Sequence, residues 1–381
     1  MTVFSFQTSR EIHFGRGISA QAATSIAKLG NSVFLVHGSD GKRAQWLVAA
    51  LRQSGLNCHS FTCPHEPDTA LIEAGVESAR TQRASVIVAL GGGAAIDAGK
   101  AIAALVPSDR PMMDHLEVVG KGLPLVHAPL PFVAIPTTSG TGTEVTRNAV
   151  ISVPEHHRKV SLRDARMLPD LAFVDPALTD NTPRAITLAS GLDAVTQVIE
   201  PYISKASNRM TDALCREAIP LGLRALTALM QGEVQAARDD MAWVSLCGGL
   251  ALANAGLGAV HGLAGVIGGV CGAPHGAICG ALLPHVLRAN REHPDLDSRT
   301  ATRLDECMTW IAEALDAETP LATDALITWS GKCGLPGLAE MGLKEQEYPA
   351  VAKASASSSS MRGNPVPLTF ETLQAILEAS R

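Results

Sequence analysis

The sequence predicts a chain of two parts, an α/β domain built around a parallel sheet and then an all-α domain. Three observations predict this fold class. Short, almost continuously apolar runs alternate with helical patterns in the first part of the chain. From about Thr182 such runs nearly vanish, and long stretches rich in Ala, Leu and Gly take their place. The length of 381 residues suits two domains, which we place at residues 1–181 and 182–381.

The first part predicts buried strands that alternate with helices. Each strand is a short apolar run that ends at turn residues. The strands are expected at residues 32–36, 55–62, 84–90 and 132–136, and helices at 43–54 and 69–82. This alternation is typical of βαβ units, in which helices cover both faces of a parallel sheet.

The second part predicts long buried helices. Apolar residues recur at helical spacing through residues 212–230 and 241–269, and no Asp, Glu, Lys or Arg occurs between Ala242 and Leu287. A helix that is apolar nearly all round must be buried inside a protein. We therefore expect the core of the second domain in this stretch.

The composition and charge exclude several classes of protein. A chain that is 46% hydrophobic can bury real cores and is not disordered. With 31 Lys and Arg against 37 Asp and Glu, the net charge is −6, which argues against a nucleic-acid or anionic-membrane partner. No apolar run is long enough for a transmembrane helix, and residues 1–17 lack the pattern of a signal peptide. We expect a cytoplasmic protein.

The cysteines predict neither a redox motif nor a zinc ribbon. Eight of them are scattered along the chain, and none forms a Cys-x-x-Cys pair. Several lie among apolar residues, so buried free thiols in a reducing compartment are expected.

A glycine-rich loop follows the third predicted strand. Gly91, Gly92 and Gly93 let the backbone turn tightly there, and the helix that follows directs its N-terminal dipole at whatever lies above the loop. This arrangement predicts a pyrophosphate cradle, although the pattern is not Gly-x-Gly-x-x-Gly. Asp97 lies just beyond, and taken by itself it fits better as a charge in the first turn of the helix.

A second loop with small polar side chains follows the strand at 132–136. Thr137, Thr138 and Thr141 offer hydroxyls to phosphate or ribose oxygens. The alternative is a helix start in which Glu144 and Thr141 form a capping box. Two such loops after two strands together favour a dinucleotide that lies across the strand ends.

A third group of residues predicts a metal site. Asp193 and Gln197 are four residues apart and share one face of a helix. His261 and His275 lie in glycine-rich, uncharged surroundings, where a lone histidine is more often a hydrogen-bonded core residue. A buried carboxylate is costly unless it is paired or binds a cation, and a carboxylate with two imidazoles suits iron(II) or zinc.

These motifs together resemble the iron-containing (group III) alcohol dehydrogenase family over nearly the whole chain. The resemblance implies a dehydroquinate synthase-like fold with the active site in the cleft between the domains. It also implies hydride transfer between a nicotinamide cofactor and a small, metal-bound alcohol or aldehyde, in a homodimer. The matching motifs are residues 91–93, 97–100 and 136–146, Asp175-Pro176, Asp193, His261-Gly262, residues 274–276, Pro284-His285 and Asn364-Pro365.

The resemblance assigns roles to individual residues. Three groups would bind the cofactor: Gly92, Gly93 and Asp97 at the pyrophosphate, Thr137, Thr138 and Thr141 at the phosphate and nicotinamide, and Lys159 and Leu178 at the ribose and ring. Asp193, His261 and His275 would hold the catalytic metal, which would bind the substrate oxygen as a Lewis acid.

Two positions depart from the family pattern. Gln197 replaces the usual histidine, and its amide oxygen is a weaker ligand for a transition metal than imidazole. Gly265 lies where many members have a further active-site histidine, which enlarges the predicted pocket. Gln197 is therefore a conditional metal ligand, which means that it binds the ion only if its amide oxygen can replace the imidazole.

The cofactor preference is inferred from charge. NAD-preferring relatives often carry an aspartate where this chain has Gly38, and Ser39 follows with Lys42 and Arg43 nearby. This pattern favours the 2′-phosphate of NADP over NAD, although Asp40 opposes it.

Two alternatives stay open. One is a maleylacetate-reductase-like enzyme that works without metal, and the other is a nucleotide-binding protein that has lost catalysis. A dehydroquinate-synthase-like lyase is excluded because the stretch 242–287 lacks the basic residues that its substrate needs.

Overall fold

The computed structural model describes residues 3–156 and 158–381, and these form two compact units. One unit, here the sheet unit, comprises Thr8–Thr138 and Gly142–Thr179. The other, the helical unit, comprises Asp180–Arg381 with the segment Ser139–Thr141 and the N-terminal residues up to Gln7. The predicted fold class, an α/β domain and then an all-α domain, is confirmed.

The sheet unit is built on a six-stranded parallel sheet of order β1-β8-β5-β4-β2-β3 in its described residues. A separate antiparallel pair, β6 and β7, lies outside this sheet. The strands are β1 Glu11–Phe14, β2 Ser32–His37, β3 Asn57–Thr62, β4 Val86–Gly91, β5 Phe132–Pro136, β6 Asn148–Val153, β7 Arg158–Arg163 and β8 Leu171–Val174.

Helices cover both faces of this sheet, which is why its central strands are apolar at every position. On β2, Val33 and Leu35 pack in the core on one face, and Phe34 and Val36 pack in the core on the other. The first face carries α1 (Ala22–Ile26) and α2 (Gln45–Gln53), and the second carries α3 (Thr69–Thr81) and α4 (Gly93–Leu105). Side chains alternate across a strand, so a sheet buried on both sides needs continuous apolar runs.

The strands predicted in the first part of the chain are present, but four others were missed. Strands β1, β6 and β7 carry polar or exposed residues at alternate positions, and β8 is only four residues long. The helix expected at 43–54 begins at Gln45, because residues 41–44 form a 3₁₀ turn capped by Asp40. Tertiary pairing, rather than a local apolar run, makes the missed segments strands.

The helical unit packs around α5, whose residues from Gly191 to Ile203 are all buried. Small residues allow its neighbours to approach closely: any side chain at Gly191 would overlap Leu226, and any at Gly280 would overlap Leu192. The helices are α5 Arg184–Ile203, α6 Arg209–Gln231, α7 Gln235–Ala255, α8 Ala259–Cys271, α9 His275–Arg291, α10 Ser298–Ala314, α11 Ala322–Cys333, α12 Tyr348–Ala356 and α13 Phe370–Ala379.

The apolar stretch 241–269 is two helices and not one. Gly256, with a φ of 70°, ends α7, and α8 begins at Ala259 after a bend of 100°. Among the described residues no single helix has the length and apolar composition to span a membrane; this bent pair has them when its two helices are taken together. Both helices contribute to the core of the helical unit.

A buried lysine joins α4 to the segment that leads into β6. Lys100 is 1% exposed, and its Nζ donates to the carbonyl oxygens of Thr143 at 2.7 Å, Thr146 at 2.9 Å and Asn148 at 2.9 Å. Burial lowers the pKa of Lys100 to about 8, against the opposing effects of Asp97 and Glu144. Burial likewise raises the pKa of Glu144 to about 7. Hydrogen bonds thus satisfy the ammonium that burial disfavours.

Glu144→Gln should flatten the dependence of stability on pH. Between pH 4.5 and about 7 the folded protein keeps a proton on Glu144 that the unfolded chain releases, so wild-type stability falls as pH rises through this window. The variant lacks this contribution, which amounts to as much as about 3 kcal/mol. Urea unfolding at several pH values measures it, with the exposed Glu155→Gln as the control. A slope equal to that of the wild type would contradict the assignment.

Candidate metal centre and nucleotide site

Four ligand-type side chains meet inside the helical unit. They are Asp193 of α5, His261 of α8, and His275 and Cys279 of α9, and their ligand atoms all lie within 4.8 Å of one another. The bend between α7 and α8 places His261 in the first turn of α8, and His275 is the first residue of α9. The structure thus brings together the three residues that the sequence singled out and adds a cysteine that sequence reasoning missed.

The separations within this cluster suit a tetrahedral ion. Asp193 Oδ1 lies 3.3 Å from His261 Nε2 and 3.8 Å from His275 Nε2, and Cys279 Sγ lies 3.6 Å from His275 Nε2. A tetrahedral ion with bonds of about 2.0–2.3 Å separates its ligands by roughly 3.3–3.8 Å. The donor set therefore matches a zinc-sized or iron-sized ion in chemistry, and these three separations match it in spacing.

Two of these atoms are buried and face each other without a hydrogen bond. Asp193 Oδ1 and His261 Nε2 have no hydrogen-bond partner among the described residues, although Asp193 is only 2% exposed and His261 only 7%. Buried polar atoms in native proteins are almost always paired, because desolvation without a partner costs about 1–3 kcal/mol. A bound cation would satisfy both atoms, so the residues fit the metal that the donor set predicts.

The electrostatics of the cluster couple ion binding to proton release. Burial alone would raise the pKa of Asp193, but His261 and His275 outweigh it and the pKa lies below its ordinary value. Burial alone would lower the pKa of both histidines. Nearby Cys279 and Glu200 instead hold the pKa of His261 well above its ordinary value, and Cys279 and Asp193 raise that of His275 to about 9. Imidazole binds a metal only after it loses its proton.

Glu200 orients the ring of His261 through a hydrogen bond at its Nδ1 atom. One of its carboxylate oxygens accepts from His261 Nδ1 at 2.6 Å, and the other accepts from the backbone N–H of Val260 at 2.7 Å. This fixes the proton on Nδ1 and directs Nε2 at Asp193. Sequence reasoning missed Glu200, although its position seven residues after Asp193 places both on one helix face.

Gln197, the conditional ligand, is held by the protein itself. Its Nε2 donates to the carbonyl oxygen of Gly140 at 3.1 Å, and its side chain packs against Gly248 of α7. The role of Gln197 as a metal ligand stays a prediction. At Gly265 a Cβ atom would meet no described atom within 4 Å, so the position offers the open space that the sequence predicted.

Three loops converge at the carboxyl edge of the sheet. A Cβ atom at Gly91 would lie 3.4 Å from the backbone nitrogen of Gly38, and one at Gly92 would lie 3.3 Å from Thr138 Oγ1. The loops follow β2, β4 and β5, and the chain order reverses between β2 and β4. Ligands of open α/β sheets bind at such a switch point. Gly92 also caps α4 without a side chain, so backbone N–H groups from Gly93 onward face the loop.

Other predicted cofactor residues have partners of their own. Asp97 accepts from Thr143 Oγ1 at 2.5 Å and from the backbone nitrogen of Val150 at 3.0 Å. Since α4 begins at Gly93, Asp97 lies in its second turn, and the alternative role as a first-turn charge is wrong. The capping box of Thr141 with Glu144 is also wrong, because residues 143–145 form only a 3₁₀ turn.

The remaining predicted residues lie in both units. The backbone nitrogen of Thr137 donates to Gly91 at 2.9 Å, whereas Thr141 belongs to the helical unit. Lys159 pairs with the carboxylate of Glu66. Their contacts with a nucleotide stay predictions.

The loop after β2 carries the residues on which the predicted preference for NADP over NAD depends. Ser39 is exposed, and Asp40 directs its carboxylate at the backbone nitrogen of Lys42 at 3.0 Å. Arg43 donates to the carbonyl oxygen of Leu178 at 3.2 Å, which ties this loop to the segment after β8. Asp40 thus acts as a cap within its own loop.

Comparison with known proteins shows one family over both units. Residues 9–176 match the family "Iron-containing alcohol dehydrogenase", and residues 187–381 match "Fe-containing alcohol dehydrogenase family, C-terminal". Alcohol dehydrogenase 4 of Schizosaccharomyces pombe is 31% identical, over 96% of this chain and 86% of its own. 1,3-Propanediol dehydrogenase of Klebsiella pneumoniae is 35% identical, over 83% and 81%. A crystal structure of 1,3-propanediol oxidoreductase superposes with a TM-score of 0.88 at 29% identity and covers 100% of both chains.

Glu200→Gln should weaken metal binding by roughly 10–100-fold, because the amide has only one acceptor oxygen for His261 and Val260. Competition with a chelating dye for Zn²⁺ or Co²⁺ measures the dissociation constant. Glu313→Gln, on the exposed surface of α10, is the matched control. An unchanged dissociation constant in Glu200→Gln would show that Glu200 does not orient the site.

Proposed function

Because this chain belongs to the iron-containing alcohol dehydrogenase family, we propose that it transfers a hydride between a nicotinamide cofactor and a small alcohol or aldehyde held at a divalent metal ion. The family membership makes it an NAD(P)-dependent oxidoreductase. The observation that carries the metal part is the pair of buried atoms that lack a hydrogen bond, Asp193 Oδ1 and His261 Nε2.

Asp193, His261 and His275 would hold the ion, which is iron(II) or zinc. When bound, the ion supplies Lewis acidity to the substrate oxygen. Glu200 keeps the proton of His261 on Nδ1, so Nε2 presents a lone pair to the site. Apolar helices surround Asp193 and His261, which are both buried, and a less polar environment strengthens the electrostatic interactions between them.

We assign the nucleotide to the domain of residues 1–181 and the metal to that of residues 182–381. Gly92 and Gly93, at the N-terminus of α4, would bind the pyrophosphate through backbone N–H groups. Thr137 and Thr138 would donate hydroxyls from the neighbouring loop, and Gly38 and Ser39 would receive the adenosine ribose. A homodimer and a cytoplasmic location complete the proposal.

The substrate is a small, uncharged alcohol or aldehyde. Two relatives are named as an alcohol dehydrogenase and a 1,3-propanediol dehydrogenase. The helices that carry His261 and His275 contain no Asp, Glu, Lys or Arg up to Leu287, so they offer no countercharge to a carboxylate or phosphate group. The open space at Gly265 would accommodate a short chain.

Asp193→Asn should abolish both metal binding and aldehyde reduction while nucleotide binding persists. The neutral amide loses the charge that the buried ion needs, and we expect turnover to fall by at least about 100-fold. The experiment measures bound iron and zinc by elemental analysis, NADPH binding by fluorescence, and reduction of short aldehydes before and after chelation. His293→Ala, at a half-buried histidine outside the cluster, is the control.

Each outcome of that experiment separates the alternatives. Full activity after complete removal of metal would favour the metal-independent reductase. Binding of NADPH without turnover on any aldehyde, with iron(II) or zinc supplied, would favour a nucleotide-binding protein that has lost catalysis.

Gly38→Asp should shift cofactor preference from NADPH toward NADH. A Cβ atom at Gly38 would meet no described atom within 4 Å, so the variant should fold, and its carboxylate would repel a 2′-phosphate. A charged hydrogen bond of about 1.5–3 kcal/mol predicts a change of roughly 10–100-fold in the ratio of the two kcat/KM values.

Gly232→Asp, at an equally open glycine of the helical unit, is the matched control for that change of charge. If the wild type prefers NADH, or if Gly38→Asp leaves the ratio unchanged, the assignment of Gly38 to the ribose is wrong.

A further inference from the structure

We propose that Cys279 is the fourth protein ligand of the metal ion, in place of a side chain at position 197. This inference deepens the proposed function and rests on its metal site. On binding, the thiol releases its proton to solvent as the sulfur–metal bond forms, and no electron is transferred. The resulting ligand set is one carboxylate, two imidazoles and one thiolate.

The position of Cys279 is set by α9. It lies one turn after His275, so both side chains project from the same helix face, and its Sγ lies 3.6 Å from His275 Nε2. Cys279 is fully buried. Gly276 and Gly280, the residues beside these two, allow α9 to lie so close to α5 that any side chain there would overlap α5. The close packing holds the sulfur against Asp193.

The other candidate for the fourth position is Gln197, whose side chain is already held by a hydrogen bond and by packing. The amide nitrogen of Gln197 donates to the carbonyl oxygen of Gly140 at 3.1 Å, and the side chain is wedged against Gly248. That hydrogen bond engages the amide nitrogen, so Gln197 could bind an ion only through its oxygen, Oε1. An amide oxygen is also a weaker transition-metal ligand than a thiolate.

Charge balance supports the same assignment. The stretch 242–287, which carries both histidines and Cys279, contains no Asp, Glu, Lys or Arg. A buried dication bound by Asp193 alone would keep one positive charge among the ligand atoms themselves, which Glu200 offsets only from the far side of the His261 ring. A thiolate at Cys279 supplies the second negative charge, which makes the ion and its ligands neutral in total.

A thiolate also changes which metal the site prefers. Sulfur ligands favour zinc over iron(II), whereas carboxylate and imidazole ligands alone discriminate less. We therefore expect this chain to bind zinc more tightly, relative to iron(II), than a site of oxygen and nitrogen ligands would. Loss of the sulfur should reduce that preference.

The test uses Co²⁺ as a spectroscopic substitute in the full-length protein. Wild-type protein with one Co²⁺ per chain should show a thiolate-to-cobalt charge-transfer band in the near ultraviolet. Cys279→Ser should lose the band and weaken Co²⁺ and Zn²⁺ binding by roughly 10–100-fold. Cys247→Ser, which removes another fully buried cysteine, should keep both. Gln197→Ala should keep the band.

X-ray absorption on the zinc-loaded wild type gives a readout that needs no variant. One sulfur neighbour at about 2.3 Å is expected. A shell of oxygen and nitrogen alone, or a band that persists in Cys279→Ser, would overturn the role of Cys279 and leave the metal site intact. A wild-type protein that binds neither Co²⁺ nor Zn²⁺ would overturn this inference together with the metal part of the proposed function.

Discussion

The helical unit depends on one constraint, the burial of a carboxylate and an imidazole whose facing atoms make no hydrogen bond. Asp193 Oδ1 and His261 Nε2 lie 3.3 Å apart among apolar helices, where an unpaired polar atom costs free energy. Neighbouring features serve to hold this pair in place. Glu200 fixes the orientation of His261, and glycines in α9 bring His275 and Cys279 against α5. A packed protein tolerates such a pair where function requires it.

The sheet unit meets a different requirement, which is to present backbone N–H groups to an anion. The order of the strands reverses between β2 and β4, so the loops after them lead to helices on opposite faces of the sheet, and such a switch point forms a crevice at the carboxyl edge. Gly91 and Gly92 allow the neighbouring loops to approach within van der Waals distance. Beneath this crevice, Lys100 and Asp97 hold the segment that leads into β6 and β7 through buried hydrogen bonds. These hydrogen bonds tie α4, whose N-terminus would bind phosphate, to the segment that follows β5.

Local sequence predicted the parts of the fold whose environment is uniform. The strands β2, β4 and β5 are buried on both faces, so their apolar runs are continuous and easily recognised. Strand β1 is half-exposed at the edge of the sheet, and buried and exposed residues alternate along β6 and β7. The sequence of these three strands therefore looks like that of an ordinary loop. The α7–α8 boundary was missed for another reason. Its apolar spacing continues through the bend, and only Gly256 and Gly258 mark the break.

Sequence by itself determined the fold class and the chemical types at the candidate site. A carboxylate and two imidazoles in charge-free surroundings, and glycines after a buried strand, are local patterns with local physical causes. Tertiary structure alone decided which side chains meet, because Asp193, His261 and Cys279 lie on three helices far apart in the chain. It also decided that Gln197 donates to Gly140 and that Asp97 binds Thr143. Those pairings depend on how helices and loops pack, and no spacing along a single element encodes them.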